Sequence, residues 1–122
     1  MKYPPIFQVA AADLAVTALL GVRPVRLYLF GLAPPKPAGT YCVWQVISGS
    51  PENFLAGRPD AEAYSLQLDI YAASADEARA AGHAIEYAVE LSATITSYNG
   101  ESRDVETGLY RYSFDVDWIV QR

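Results

Sequence analysis

The chain has 122 residues, with nine Lys and Arg against fourteen Asp and Glu, a net charge of −5. That length suits one domain, residues 1–122, with a core that needs no disulfide or metal staple. A hydrophobic fraction of 52% argues against disorder, and the scattered basic residues argue against tight binding to nucleic acid or an anionic membrane.

Pro4-Pro5 opens a helical region in which Ile6, Val9 and Ala10 share one face. Asp13 can cap a second short helix, Leu14 to Leu20, which Gly21 ends. One bent helix or two short ones fit equally well. Gln8 and Asp13 interrupt the apolar run, so it reads as helix rather than as a secretory signal. Val25 to Phe30 reads as a strand, and Pro34, Pro35, Pro37 and Gly39 make a stiff loop.

Thr40 to Ser48 is the next strand. Tyr41, Val43, Gln45 and Ile47 line one face and Cys42, Trp44 and Val46 the other. Apolar residues on both faces predict a central or doubly covered strand. A connection with two prolines, two glycines and the apolar pair Phe54-Leu55 follows. Tyr64 to Ala72 alternates cleanly, with Tyr64, Leu66, Leu68 and Ile70 on one face and Ser65, Gln67, Asp69 and Tyr71 on the other. Ser74-Ala75-Asp76-Glu77 is a capping box. It opens a helix whose stripe is Ala78, Ala81, Gly82, Ile85, Ala88 and Val89. Thr94 to Tyr98 is a short strand, and Asn99-Gly100 begins a connection reaching Gly108. The last strand, Leu109 to Val120, sets Tyr110, Tyr112, Phe114, Val116, Trp118 and Val120 against Arg111, Ser113, Asp115 and Asp117.

The order α-β-β-β-α-β-β lacks regular βα alternation. It predicts an α+β fold: a mixed, largely antiparallel sheet of four to five strands with two helices on one face. No run of about 18 apolar residues exists, so no membrane-spanning helix is expected.

Little in the chain suggests chemistry. Cys42 is the only cysteine, excluding an intrachain disulfide and a cysteine metal site. Its place within a strand suits a small buried apolar residue, and its solitude suits a reducing compartment. His83 is the only histidine, and Glu86 and Glu90 near it are expected on a solvated helix face. Ser48-Gly49-Ser50 lacks a nucleophile elbow, and phosphate loops and dinucleotide fingerprints are absent. Asp69, Asp115 and Asp117 gather on polar strand faces without a calcium-loop pattern. No cofactor, metal or enzyme activity is expected. Trp44 and Trp118 are expected in the core. Phe54-Leu55 is either a satellite cluster folded back on the domain or an anchor at a protein–protein contact.

Tyr41-x-Val43-Trp44-Gln45, then Ser48-Gly49-Ser50-Pro51-Glu52-Asn53 with Gly57-Arg58-Pro59-Asp60, resemble the tail-completion family of long-tailed bacteriophages. So do Leu66-x-Leu68-Asp69-Ile70-Tyr71-Ala72, Asn99 through Asp104, Tyr112 through Trp118, and the opening Tyr3-Pro4-Pro5-Ile6-Phe7. The likeness spans nearly the whole chain in the same element order. It implies a structural virion protein at the head-proximal end of the tail, made in the bacterial host cytoplasm. Such tail terminators cap the tail tube as a ring, usually a hexamer. They stop tube growth and form the joint to the head connector or head-completion protein, while DNA passes through the lumen without specific binding. The family brings no catalytic residues.

On this reading the loops at 51–63 and 99–108 supply candidate ring interfaces. These comprise Glu52, Asn53, Phe54, Leu55 and Arg58 in the first, and Glu101, Arg103 and Asp104 in the second. Asp69, Asp115 and Asp117 are expected on a lumen-facing or otherwise wet sheet surface. Alternatives are another neck or head-completion ring of a phage or, in a different class, a cytosolic small-molecule binding module.

Overall fold

Leu66, Leu68 and Ile70 alternate with Ser65, Gln67 and Asp69, so one side of this segment must be buried and the other wetted. In the computed structural model, which describes residues 3–52 and 61–121, the segment lies in the middle strand of a five-stranded sheet. The elements in chain order are α1 (Ile6–Ala11), α2 (Leu14–Leu20), β1 (Leu27–Leu29), β2 (Tyr41–Glu52), β3 (Ala61–Ala72), α3 (Ala75–Val89), β4 (Thr94–Arg103) and β5 (Tyr110–Gln121). Sheet order is β1-β2-β3-β5-β4. β1 runs parallel to β2, and every other pairing is antiparallel. The fold is α+β with a mixed, largely antiparallel sheet, as the patterning predicts.

The helices cover one face. Ile6 and Ala10 of α1, Val16 and Leu20 of α2, and the α3 stripe join Leu66, Leu68, Ile70, Phe114 and Val116 in one core cluster. The N-terminal region is two helices because Asp13 interrupts it. Its carboxylate accepts hydrogen bonds from the Ala15 and Val16 amides at 2.9 and 3.1 Å, capping α2. The third helix begins where its capping box predicts, with Ser74 Oγ accepting from the Glu77 amide at 3.2 Å. Asp76 and Glu77 sit in its first turn, where the helix dipole favours negative charge. Gly82 has a packing reason. A Cβ there would lie 2.5 Å from the Tyr112 ring, so only glycine lets α3 approach β5 this closely.

The strands depart from the sequence expectation in four places. First, β1 keeps only three residues, because the Arg26 amide turns back to the Leu20 carbonyl at 2.9 Å. Second, β2 and β3 pair out to Glu52 and Ala61, so the connection between them is the shorter segment 53–60. A register shift between Val46 and Ser48 bulges Ile47 outward and reverses the face of every later β2 residue. Gly49 then lies opposite Tyr64, where a Cβ would come 3.0 Å from the ring. Third, β4 continues to Arg103 rather than ending near Tyr98. Asn99-Gly100 is a second bulge, with Gly100 at φ +92°, and not a turn. Fourth, the turn between β4 and β5 is built by Asp104. Its Oδ1 accepts from the Glu106 amide at 2.9 Å, and its carbonyl accepts from the Gly108 amide at 2.7 Å.

Four side chains also need reassignment or confirmation. Cys42 is fully buried, and burial pushes its thiol pKa up, so it acts as a small apolar residue. Trp118 fills the core, but Trp44 is only partly buried and borders a groove. Glu86 is not on a solvated face. It is 7% exposed and accepts a 2.6 Å hydrogen bond from the Tyr112 hydroxyl. That donor is what permits a carboxyl group in the helix–sheet layer.

Candidate assembly surfaces

The sheet face opposite the helices collects the polar halves of β3 and β5. The two strands pair with Gln67 opposite Asp115, Ser65 opposite Asp117 and Asp69 opposite Ser113. This places Asp69, Asp115 and Asp117 on one surface, away from the helix–sheet core. Each carboxylate has its own partner. Asp69 accepts from Arg111 Nη2 at 2.7 Å, with Gln67 Nε2 at 3.3 Å. Asp115 accepts from Asn99 Nδ2 at 2.7 Å, and Asp117 from Ser65 Oγ at 2.7 Å. Arg111 offsets Asp69 and leaves Asp115 and Asp117 as negative charges with only neutral donors. No group of His, Cys, Asp and Glu among the described residues could hold a metal ion.

At the other end of this face Tyr41 stacks on Tyr71, with ring centroids 5.1 Å apart. Burial leads in raising both pKa values, and Arg111 pulls against it at Tyr71. The Asp104 charge adds a smaller upward push to each. His83 is exposed on α3, edge-on to the Tyr112 ring at 5.9 Å, with no nucleophile bonded to it.

Of the candidate interface residues, Glu101, Arg103 and Asp104 lie on the β4–β5 hairpin, and two of them also hold it to the rest of the subunit or to itself. Glu101 is bound through both oxygens by Arg79 of α3, at 2.6 and 2.9 Å. The Arg79 hydrogen bonds hold the Glu101 pKa below the usual carboxylate range. Arg103 lies 5.6 Å over the Tyr110 ring, a cation–π contact. The Glu52 backbone pairs with Ala61 at the end of the β2–β3 hairpin. Asn53, Phe54, Leu55 and Arg58 lie outside the described residues.

An apolar groove of about 570 Å³ opens between α1 and the strands β1 and β2. Tyr3, Phe7, Leu29, Phe30, Trp44 and Val46 line it, and Gln8 supplies its one side-chain amide. Sequence reasoning missed this surface. The available signal was Tyr3 and Phe7, four residues apart and off the Ile6–Val9–Ala10 face, together with Phe30 beside a proline-rich loop.

No curated protein sequence matches the chain. Among solved structures it is similar to a chain in the virion of a native gene transfer agent (GTA) particle. The TM-score is 0.68 at 19% identity, covering 96% of this chain and 92% of that one. At that identity the likeness speaks for the fold alone. The sequence itself matches the family model of tail completion protein gp17 over residues 4–121. With every described element inside that match, the chain belongs to the tail completion protein gp17 family and has a structural role in the tail of a phage virion.

Proposed function

We propose that this protein is a tail terminator. Copies close into a ring, usually six in this family, on the end of the tail tube. The ring stops tube polymerisation and presents the joint to the head connector or head-completion protein. The observation that carries the reading is the match to a tail completion family across residues 4–121.

The geometry is compatible with this role. A closed ring needs two dissimilar, mutually fitting surfaces on each copy. The subunit has an apolar groove beside β1 and a long exposed strand, β4, at the opposite end of the sheet. The wet face carrying Asp115 and Asp117 suits a lumen, because a negative wall repels DNA phosphates and leaves the duplex free to pass. Nothing in the groove favours a small metabolite. Specific pockets converge several polar groups on the ligand, and here the lining is mostly apolar, with polar atoms only on Tyr3, Gln8 and Trp44 and no charged side chain.

Light scattering of the purified protein, alone and with tail tube protein, tests the ring, with negative-stain images of the same samples. The expected result is an annular particle of several copies in at least one sample. A single copy in both samples would contradict the proposal.

A further inference from the structure

The two lateral edges of the sheet differ in shape and in charge. At the β1 edge lies the apolar groove, with Phe30 59% exposed on its rim. Residues 3–40, which frame it, carry Arg23, Arg26 and Lys36 against Asp13 alone. Arg26 is occupied by the Thr40 and Leu19 carbonyls at 2.9 and 3.2 Å. Arg23 and Lys36 are exposed, and among the described residues they meet no carboxylate.

The β4 edge is a ridge. Tyr98 pairs opposite the buried Phe114, so it stands on the helix side of β4, where it is 63% exposed. Arg79, His83 and Tyr87 follow at four-residue spacing along α3. Arg79 is bound to Glu101 of β4, so Tyr87, 78% exposed, rises on the same flank. β4 and the turn after it, residues 94–109, carry Glu101, Asp104 and Glu106 against Arg103. The segment that supplies most of the greasy groove is therefore net positive, and the segment that forms the aromatic ridge and its turn is net negative.

Resting on the ring reading, we infer that the ridge of one copy seats in the groove of the next, head to tail, with Tyr98 entering beside Phe30. Apolar burial supplies the adhesion. Opposite charge on the two flanks sets the order, since groove against groove would bring cations together. Side chains make the contact and strand addition does not. β4 breaks register between Ile95 and Ser97 and again between Tyr98 and Gly100, and such bulges spoil an edge for backbone pairing.

Cross-linking tests this contact. With Phe30 and Tyr98 left in place, Leu32→Cys and Ser97→Cys, at exposed positions beside them, are made separately and together, then treated with a short bismaleimide under the conditions in which the native chain is sized by light scattering, tail tube protein included. Cys42 is buried with its thiol pKa pushed up, and stays silent. Within one copy the two positions lie at opposite edges of a five-stranded sheet. Four strand spacings, roughly 19 Å, keep them beyond the linker. Both sites are exposed, and thermal unfolding verifies that the variants fold.

The expected result is heterodimer, well above either homodimer, when the single variants are mixed. The double variant is expected to give a ladder that ends at the ring size. Reversing Arg23 and Lys36 to Glu should cut the cross-link yield several-fold at low salt. Rings by light scattering without heterodimer would overturn this contact and leave the ring reading standing. A native chain that never leaves the single-copy state would overturn both. Yield unchanged by the charge reversals would remove the electrostatic ordering.

Discussion

β3 and β4 both pair with β5 along most of its length, yet they have opposite fates. β3 is flanked on both edges, and every second residue is buried beneath the helices. β4 has one neighbour and is exposed throughout, apart from a partly buried Ile95. Hydrogen bonding alone therefore does not explain the β4–β5 hairpin. The Arg79–Glu101 pair fastens it to α3, and the Asn99 bridge to Asp115 and the Arg103–Tyr110 contact fasten its two strands together. One strand is spent on the fold, and the other, on the ring reading, is the one proposed to meet a neighbouring copy.

Substitutions can break that contrast. The largest effect is expected on the β3 side. Phe114 is fully buried at the centre of the core, and Phe114→Ala should cost ~3–5 kcal/mol in a denaturant titration. A loss within ~0.5 kcal/mol would mean that the layer between helices and sheet is not the source of stability.

Tyr112→Phe should cost less, about 1–3 kcal/mol, because it leaves the buried Glu86 without its donor. Alkaline pH probes the same site. Burial first, then the Glu86 hydrogen bond, raises the Tyr112 pKa above the ordinary 10.0. The folded state thus favours the protonated phenol. Its contribution is fully present below pH 10 and declines as pH rises toward the folded value. Tyr41 and Tyr71 shift in the same direction for the same leading reason. Denaturant midpoints are expected to hold up to about pH 10 and fall above it. A flat profile to pH 12 would remove the buried phenol from the account.

The smallest effect is expected on β4. Tyr98→Ser should change subunit stability by less than ~0.5 kcal/mol, as an exposed edge position. It should nevertheless reduce assembly. A large loss of stability with intact assembly would invert the contrast between the strands.

Much of this architecture was legible in the residues. Period-two alternation in β3 and β5, the capping box and the small-residue α3 stripe each have one physical solution. What stayed hidden depended on pairing between distant segments. Nothing around Val46 says that Ile47 will bulge, because the shift is set by the partner strand and by the Tyr64 ring over Gly49. Asn99-Gly100 carries the composition of a hairpin turn, but Asp104 wins that role through its own backbone-capping carboxylate. Glu86 reads as surface because its donor, Tyr112, comes from a strand 26 residues away. The acidic face was foreseeable, since Asp69, Asp115 and Asp117 share polar strand faces. The groove was not, since it needs α1 placed against β1 and β2.

The measurement closest to the central claim is the length of tail tubes. Tail tube protein is polymerised with and without this chain, and the tubes are measured by electron microscopy. The account predicts shorter tubes, each closed at one end by an annular cap. Tubes of unchanged length with bare ends, at saturating amounts of the folded protein, would contradict it.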